Sequence, residues 1–547
     1  MFITSLIFFL FFRSVRATLV ALLVVSIGVM WSFGTLGLLN YEITVLTALI
    51  PPLIIVIGIP NCVFFINKYQ QEVLKTKDKF KSLETMITKI GYATLMTNLT
   101  TSFGFATFIL TNSKVLREFG IVASINIIGL FLISLLLIPI IFSFLKTPNT
   151  KQIKHLENKN INKFIDWMEN NVKHKRNNIY IISVFFLTIS VLGIKKMKIS
   201  ASLIEDMPKK SNFFKDIQYF DEEFSGVVPV EILINTNRKN GLRSLSTLKK
   251  INKLHEEILN YSELSSPLSI LNAYKYSKQA YYNGNPDYFK LPNSQENRFI
   301  SQYLMNSSEN SNLFKNYIDS TMQYGRVTTF MKDIKTNQIE KIKNELQVNI
   351  NKIFPPDKFN VLLTGKSLLF IKGTKYLIKN LFLSLSLAIL LISFFMAFMF
   401  RSFKMIIISL IPNLLPLIVT AGLMGFFSIP LKASTILVFS IAFGISVDNT
   451  IHFLAKYRQE LFDSNWKIQP SVYSALRERG VSMFYSSVVL FFGFSVFMIS
   501  DFGGTVALGG LVSLTLLIAM LSNLILLPSL LISLKRSISN EKVIREP

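Results

Sequence analysis

The sequence predicts a mainly α, polytopic membrane protein: two copies of one helical bundle in parallel orientation, with one α+β domain between spans of the second copy. Three observations predict it. Hydrophobic residues make up 50% of the 547-residue chain and the mean hydropathy is +0.43, too apolar for a soluble protein of this length. Runs of about twenty apolar residues, the length that crosses a bilayer, recur towards both ends. The two ends also align with each other at an offset of about 388 residues.

The chain opens on an apolar stub at 1–12. No positive residue precedes it, and Arg13 and Arg16 follow directly, so it does not read as a signal peptide. Twelve helical residues rise only ~18 Å against ~30 Å of hydrocarbon, so the stub reads as the second half of a span. Spans follow at 18–39, 43–66, 93–111 and 120–145, completing a first bundle over 1–145. The linker at 146–178 places Ile161, Phe164, Ile165, Met168 and Val172 at helical spacing. That is an amphipathic helix, lying on the cytoplasmic membrane surface or packed against loops. A leading span of the second copy occupies 179–194, and a soluble stretch covers 195–375. Within it "PVEILINTN", Leu245–Leu259, "GRVTTFMKD", 337–353 and "FNVLLTG" alternate strand and helix, which predicts small α+β subdomains with antiparallel or mixed sheets. Spans resume at 381–400, 405–427, 435–455, 483–500 and 506–534, giving a second bundle over 376–534 and a basic tail at 535–547.

Lys and Arg total 58 against 33 Asp and Glu, a formal charge of +25. The charge sits in connections between apolar runs, and not on a patch interleaved with aromatics, which argues against nucleic acid. Residues 68–89 hold six lysines, and 146–176, 456–479 and 535–545 are basic again, whereas 40–42, 428–432 and 501–504 carry few charges. The positive-inside rule then places the basic set and the C-terminus in the cytoplasm, and the soluble stretch outside it, across a bacterial inner membrane. With one cysteine, Cys62, and four scattered histidines there is no intrachain disulfide and no Cys/His metal spacing. No metal or cofactor is expected. "GKS" at 365–367 resembles the end of a phosphate-binding loop, but Asn360 stands where the first glycine is required. No nucleophile–base–acid set stands out, so nothing points to an enzyme.

In the self-alignment Phe12-Arg13-Ser14 falls on Phe400-Arg401-Ser402, Gly34 and Gly37 on Gly422 and Gly425, and Thr47 on Thr435. Asn61 falls on Asn449, Lys68-Tyr69 on Lys456-Tyr457, and Gln71-Glu72 on Gln459-Glu460. With one residue inserted, Gly91, "FGF" at 103–105, Gly120 and Pro139 fall on Gly480, 492–494, Gly509 and Pro528. Equivalent connections are basic in both copies, so the repeat is parallel.

Asp448 is the carboxylate placed deep within a span. Charge in hydrocarbon is costly, so such a residue marks a proton or ion pathway, the alternative being a structural hydrogen bond between helices. His452, four residues on, shares its helix face and suits a proton relay or an interfacial packing role, and Asn449 supports the same cluster. In the first copy Pro60, a helix breaker, stands where Asp448 stands, beside Asn61. Thr97, Asn98, Thr100, Thr101, Asn413, Ser486 and Ser487 are candidates to line the same interior, or to bond one helix to another.

The repeated five-span unit and "GISVDNTIHFLAKYRQE" on the fourth span of its half resemble the MMPL-type branch of the RND superfamily, related to Patched and sterol-sensing membrane domains. The resemblance covers essentially the whole chain, the soluble domain mainly by position and ferredoxin-like strand order. It implies RND-type bundles in which proton flow through acids on the fourth and tenth helices drives lipids or other hydrophobic molecules outward through extracytoplasmic domains. The tenth-helix acid is Asp448; the fourth-helix position is Pro60-Asn61, which departs from the acidic pattern. The implied partners are membrane lipids, a hydrophobic or lipid cargo, protons and further copies of the chain. Three readings follow: a proton-driven exporter; a non-transporting scaffold or lipid sensor, favoured by Pro60; and a product needing a separate N-terminal part, favoured by a first copy that opens at Met1 opposite Ile389.

Overall fold

The computed structural model describes residues 14–44, 46–147, 159–200, 202, 204–310, 316–400 and 402–533, together with Ser5 and Phe9. The stub at 1–12 (those two residues apart), Arg13, the linker at 148–158, Arg401 and the tail at 535–547 lie outside the described residues.

In chain order the helices and strands are α1 (Val15–Leu38), α2 (Ile50–Thr76), α3 (Lys79–Ala106), α4 (Lys114–Phe144), α5 (Lys159–His174) and α6 (Arg176–Lys196). Then come α7 (Asn212–Glu223), β1 (Val228–Asn235), α8 (Leu245–Leu259), α9 (Ile270–Tyr281), α10 (Ser294–Asn310), β2 (Tyr324–Met331), α11 (Thr336–Ile353) and β3 (Asn360–Thr364). The series closes with α12 (Lys366–Phe400), α13 (Phe403–Phe426), α14 (Ala433–Asp463), α15 (Ile468–Ser495), α16 (Gly503–Leu521) and α17 (Leu527–Ser533). Ten helical segments among the described residues are long and apolar enough to cross a membrane, so the chain is a multi-pass membrane protein. It divides into two compact units: residues 1–198, 377–500 and 504–547 form one, and residues 199–376 with 501–503 the other.

In the helical unit the spans run further than their apolar cores. The basic stretch at 68–89, which reads as a loop, is helix except at a turn: Lys77 takes a left-handed φ of 53°, and Asp78 then caps α3 by accepting from Phe80 and Lys81 N–H at 2.9 and 3.2 Å. The basic stretch at 456–479 is likewise mostly helix, because backbone bonding continues where hydropathy stops. Nor does Pro60 break its helix. α2 runs unbroken from Ile50 to Thr76 with Pro60 inside it, since buried neighbours hold the segment in place where the ring removes one backbone donor. The amphipathic helix α5 buries Ile165, Met168 and Val172 in the same core as the spans, while Trp167 stays exposed. Arg477 of α15 secures it by donating to both carboxylate oxygens of Glu169, at 2.6 and 3.3 Å.

In the other unit β1 is central and antiparallel to both β2 and β3, in the order β2-β1-β3. Val230, Ile232 and Ile234 alternate along β1 and bury against α8 and α11, whose Leu248, Ile251, Leu254, Ile342 and Leu346 repeat at helical spacing. The α+β class holds, but three described strands do not complete the four-strand β-α-β-β-α-β order of a ferredoxin-like unit.

Candidate proton-relay site between the repeats

Within the helical unit the two repeats meet through α2 and α3 on one side and α14 and α15 on the other: α3 packs on α14, and α2 on α15. Small residues allow the approach. Thr101 of α3 donates to the backbone oxygen of Gly444 at 3.2 Å, and a Cβ placed on Gly104 would lie 3.9 Å from Gly444 Cα. One turn beyond Gly444, Asp448 points across the repeat boundary into a tight crevice lined by Pro60, Asn61, Thr97, Asn98 and Thr101. Its space, about 10 Å³, is close to what a single water needs.

The residue-level geometry follows the repeat. Asn61 Nδ2 donates to Asn98 Oδ1 at 3.0 Å, and Asn98 Nδ2 donates back to Asn61 Oδ1 at 3.1 Å. At the equivalent place Asn449 Nδ2 donates to Ser487 Oγ at 3.4 Å. Equivalent helices are thus joined in each repeat, α2 to α3 and α14 to α15, through one buried polar pair. The acid breaks the equivalence. His452 Nε2 lies 3.3 Å from Asp448 Oδ1 without hydrogen-bonding alignment, and neither His452 ring nitrogen nor Asp448 Oδ1 has a hydrogen-bond partner among the described residues. His452 is fully buried and its ring lies against Phe64, centroids 4.2 Å apart. Phe64 is its own counterpart at the same offset, so the pair Asp448/His452 faces Pro60/Phe64 across the pseudo-axis.

The structure therefore brings Asp448, His452, Pro60, Asn61, Thr97, Asn98 and Thr101 together, pairs Asn449 with Ser487 beside them, and leaves three candidates elsewhere. Ser486 donates to Met483 O within its own helix, as Thr100 does to Thr97 O. Asn413 belongs to a separate buried cluster: Ser446 donates to Asn413 Oδ1 at 2.6 Å, Asn413 Nδ2 to Thr450 Oγ1 at 2.8 Å, and Thr450 to Asn523 Oδ1 at 2.7 Å. Sequence reasoning did not single out Ser446, Thr450 or Asn523. Their counterparts in the first repeat are Gly58, Cys62 and Ser134, so this four-residue lock exists only beside the acid.

A second cluster was also not anticipated. Along α14, Lys456 and Glu460 continue the i, i+4 face of Asp448 and His452. Lys456 Nζ stands 2.7 Å from Glu460 and 2.6 Å from Glu478 of α15. Lys68, its repeat counterpart, stands 3.0 Å from Glu72 and 3.7 Å from the same Glu478. One carboxylate thus clasps equivalent lysines of both repeats, and its own counterpart is Lys89. The sequence signal was an acid in a connection otherwise rich in cations. No group of His, Cys, Asp and Glu suited to a metal ion occurs among the described residues.

A repeated helical bundle with Asp448 at the repeat boundary defines a class: a polytopic membrane protein whose polar residues meet where its two halves meet. The sequence profile of the MMPL family matches residues 1–170 and 323–545, and the chain belongs to that family. Among its relatives, the Methanocaldococcus jannaschii protein named putative membrane protein MJ1562 is 30% identical over 134 residues, 24% of this chain and 34% of that protein. The apo-petrobactin exporter of Bacillus anthracis is 22% identical over 201 residues, 33% of this chain and 27% of the exporter. The chain thus spans about a third or less of the length of these relatives.

Proposed function

We propose that the chain works in secondary active transport, with proton movement through Asp448 driving the export of a lipid or other hydrophobic solute. The observation that carries the reading is the Asp448 crevice: an acid on the repeat boundary, one turn from an unpartnered imidazole and flanked by polar side chains that can bond water. A carboxyl there is neutral when it holds a proton and charged when it does not, and the crevice favours a different packing for each state. His452 Nε2 accepts the proton from Asp448 or returns it, and the basic end of α14 offers the route onward. MMPL membership and a relative named as an exporter support export. The basic connections support an arrangement in a bacterial inner membrane with those connections and the C-terminus cytoplasmic and residues 199–376 outside. Membrane lipids, the cargo, protons and further copies of the chain are the partners of this reading, which calls for no enzyme chemistry and no cofactor.

Pro60 favours a second reading, a lipid-sensing scaffold that binds without pumping, because one repeat lacks the acid. Inside-out vesicles containing the chain separate the two. Uptake of a fluorescent phospholipid or of apo-petrobactin that appears on energisation and collapses with an uncoupler supports transport; binding indifferent to the uncoupler supports the scaffold and removes the transport reading.

A further inference from the structure

We propose that a groove in the second repeat holds one chain of an anionic lipid, and that the chain it selects carries a hydroxyl part-way along its length. The walls come from α5, α6, α13 and α16 with the turn that follows it. The groove encloses about 400 Å³, within the ~300–1,000 Å³ of small-molecule sites. Its walls are apolar, with Ile182, Phe186, Leu415, Val419 and Ile518 among them. Where α5 passes into α6 the lining turns polar through Trp167, Lys175 and Asn178. Trp and Lys are residues of the membrane–water interface, so the apolar walls lie on its hydrocarbon side. Charge at this rim is one-sided. Lys173, Lys175 and Arg176 sit at the junction, no acid occurs in the sequence between Glu169 and Glu205, and Glu169 already receives Arg477. An acidic head group complements that rim.

Ser522 calls for the hydroxyl. After Leu521 the helix widens into a π turn, Ser522–Leu526, an irregularity that recurs at functional sites. Ser522 lines the groove, is 7% exposed, and its Oγ has no hydrogen-bond partner among the described residues. Nearby hydroxyls are satisfied within their own helices. Ser183, in the same groove, donates to Ile179 O at 2.8 Å, and Ser513 and Ser529 donate to Gly510 O and Ile525 O at 3.0 and 2.7 Å. Asn523, the next residue, is engaged by Thr450. An unbonded hydroxyl in an apolar wall is costly, and a ligand oxygen removes that cost, whereas a water there would find too few partners. Depth fixes where the oxygen lies on the ligand. Tyr180 OH donates to Ser529 O at 2.8 Å near the polar end, and Ser522 lies seven residues, ~10 Å, further in. A lipid whose head group meets Lys175 therefore brings mid-chain atoms to Ser522, and not its ester or carboxyl oxygens.

Tritiated 12-hydroxystearate and stearate, bound to the full chain in detergent and followed by scintillation proximity, test the site. The wild type should bind 12-hydroxystearate saturably, one per chain, and about tenfold more tightly than stearate. Ser522→Ala should erase that preference and leave the affinity for stearate unchanged, which a general loosening of the helices would not do. The variant should also melt no lower than the wild type, because it removes an unbonded group. Lys175→Gln should weaken both ligands about fivefold and keep the preference between them. Affinities are read at equilibrium without a proton gradient, so the outcome is independent of the transport reading. No saturable binding of 12-hydroxystearate, equal affinity for the two ligands in the wild type, or a preference that survives Ser522→Ala would overturn the proposal. So would affinities indifferent to Lys175→Gln, or a Ser522→Ala variant that melts lower than the wild type.

Discussion

At the scale of single residues, the site rests on a difference between equivalent positions. Asn61–Asn98 and Asn449–Ser487 perform the same task in both repeats, whereas Asp448 and His452 face Pro60 and Phe64. Removing one member of a buried interhelical pair leaves the other unbonded, so Asn98→Leu should destabilise the chain by ~1–2 kcal/mol, and Asn61→Leu added to it should recover most of that. Thermal unfolding in detergent measures both; a double variant worse than the single would contradict the pairing. His452→Phe copies the first repeat. It preserves ring packing on Phe64, so the stability change should stay within ~1.5 kcal/mol while proton delivery slows. The position of Asp448 was legible in the sequence because a carboxylate within an apolar run of membrane length is costly and stands out. Its neighbours were only partly legible: the offset aligns Asn61 with Asn449, but it carries no information on how α3 crosses α14. Asn523 also had a signal, an amide inside an apolar span that needs a buried partner.

At the scale of elements, the helices fall where apolar runs of membrane length fall, since hydrocarbon enforces both length and composition. Their ends were less legible. Residues 68–76, 79–92 and 468–482 continue as helix with polar or basic composition, and nothing in hydropathy marks them. The three soluble strands and the helices α8 and α11 fall within two residues of where the sequence places them, whereas α7, α9 and α10 were not anticipated and the sheet order depends on pairing that no local pattern encodes. The clasp on Glu478 ties α2, α14 and α15 together where the repeats meet. Glu478→Gln should cost about 1–3 kcal/mol, less than the ~3–5 kcal/mol of a fully buried pair because the Glu478 side chain is 30% exposed. Replacing Lys68, Glu72, Lys456, Glu460 and Glu478 together by methionine should restore stability, since no carboxylate is then left without its lysine. Hydrogen exchange should quicken in both 66–76 and 454–463 for the single change; quickening in 454–463 alone would show that the clasp does not reach the first repeat.

At the scale of the molecule, the two units answer pH differently. In the sheet-bearing unit His255 of α8 is buried and bonded to Ser269 at 2.9 Å, and burial first, then the Lys275 charge, push its pKa down to about 4. The unfolded chain takes up this proton near pH 6.5 and the folded unit does not. His255 therefore contributes its full stability above pH 6.5 and loses it as pH falls towards 4, a span worth ~3 kcal/mol. Exchange of the α8 amides in the full chain, corrected for intrinsic rates, should rise over that window and much less in His255→Gln. The helical unit carries the central claim, that Asp448 is the proton-bearing group of an asymmetric pair of repeats. The direct measurement is proton flux into proteoliposomes loaded with a pH-sensitive dye, under an imposed gradient and with cargo present, for the wild type and Asp448→Asn. Flux in the wild type and none above the protein-free background in Asp448→Asn is the predicted result. Equal flux in the two would show that the protons take another path.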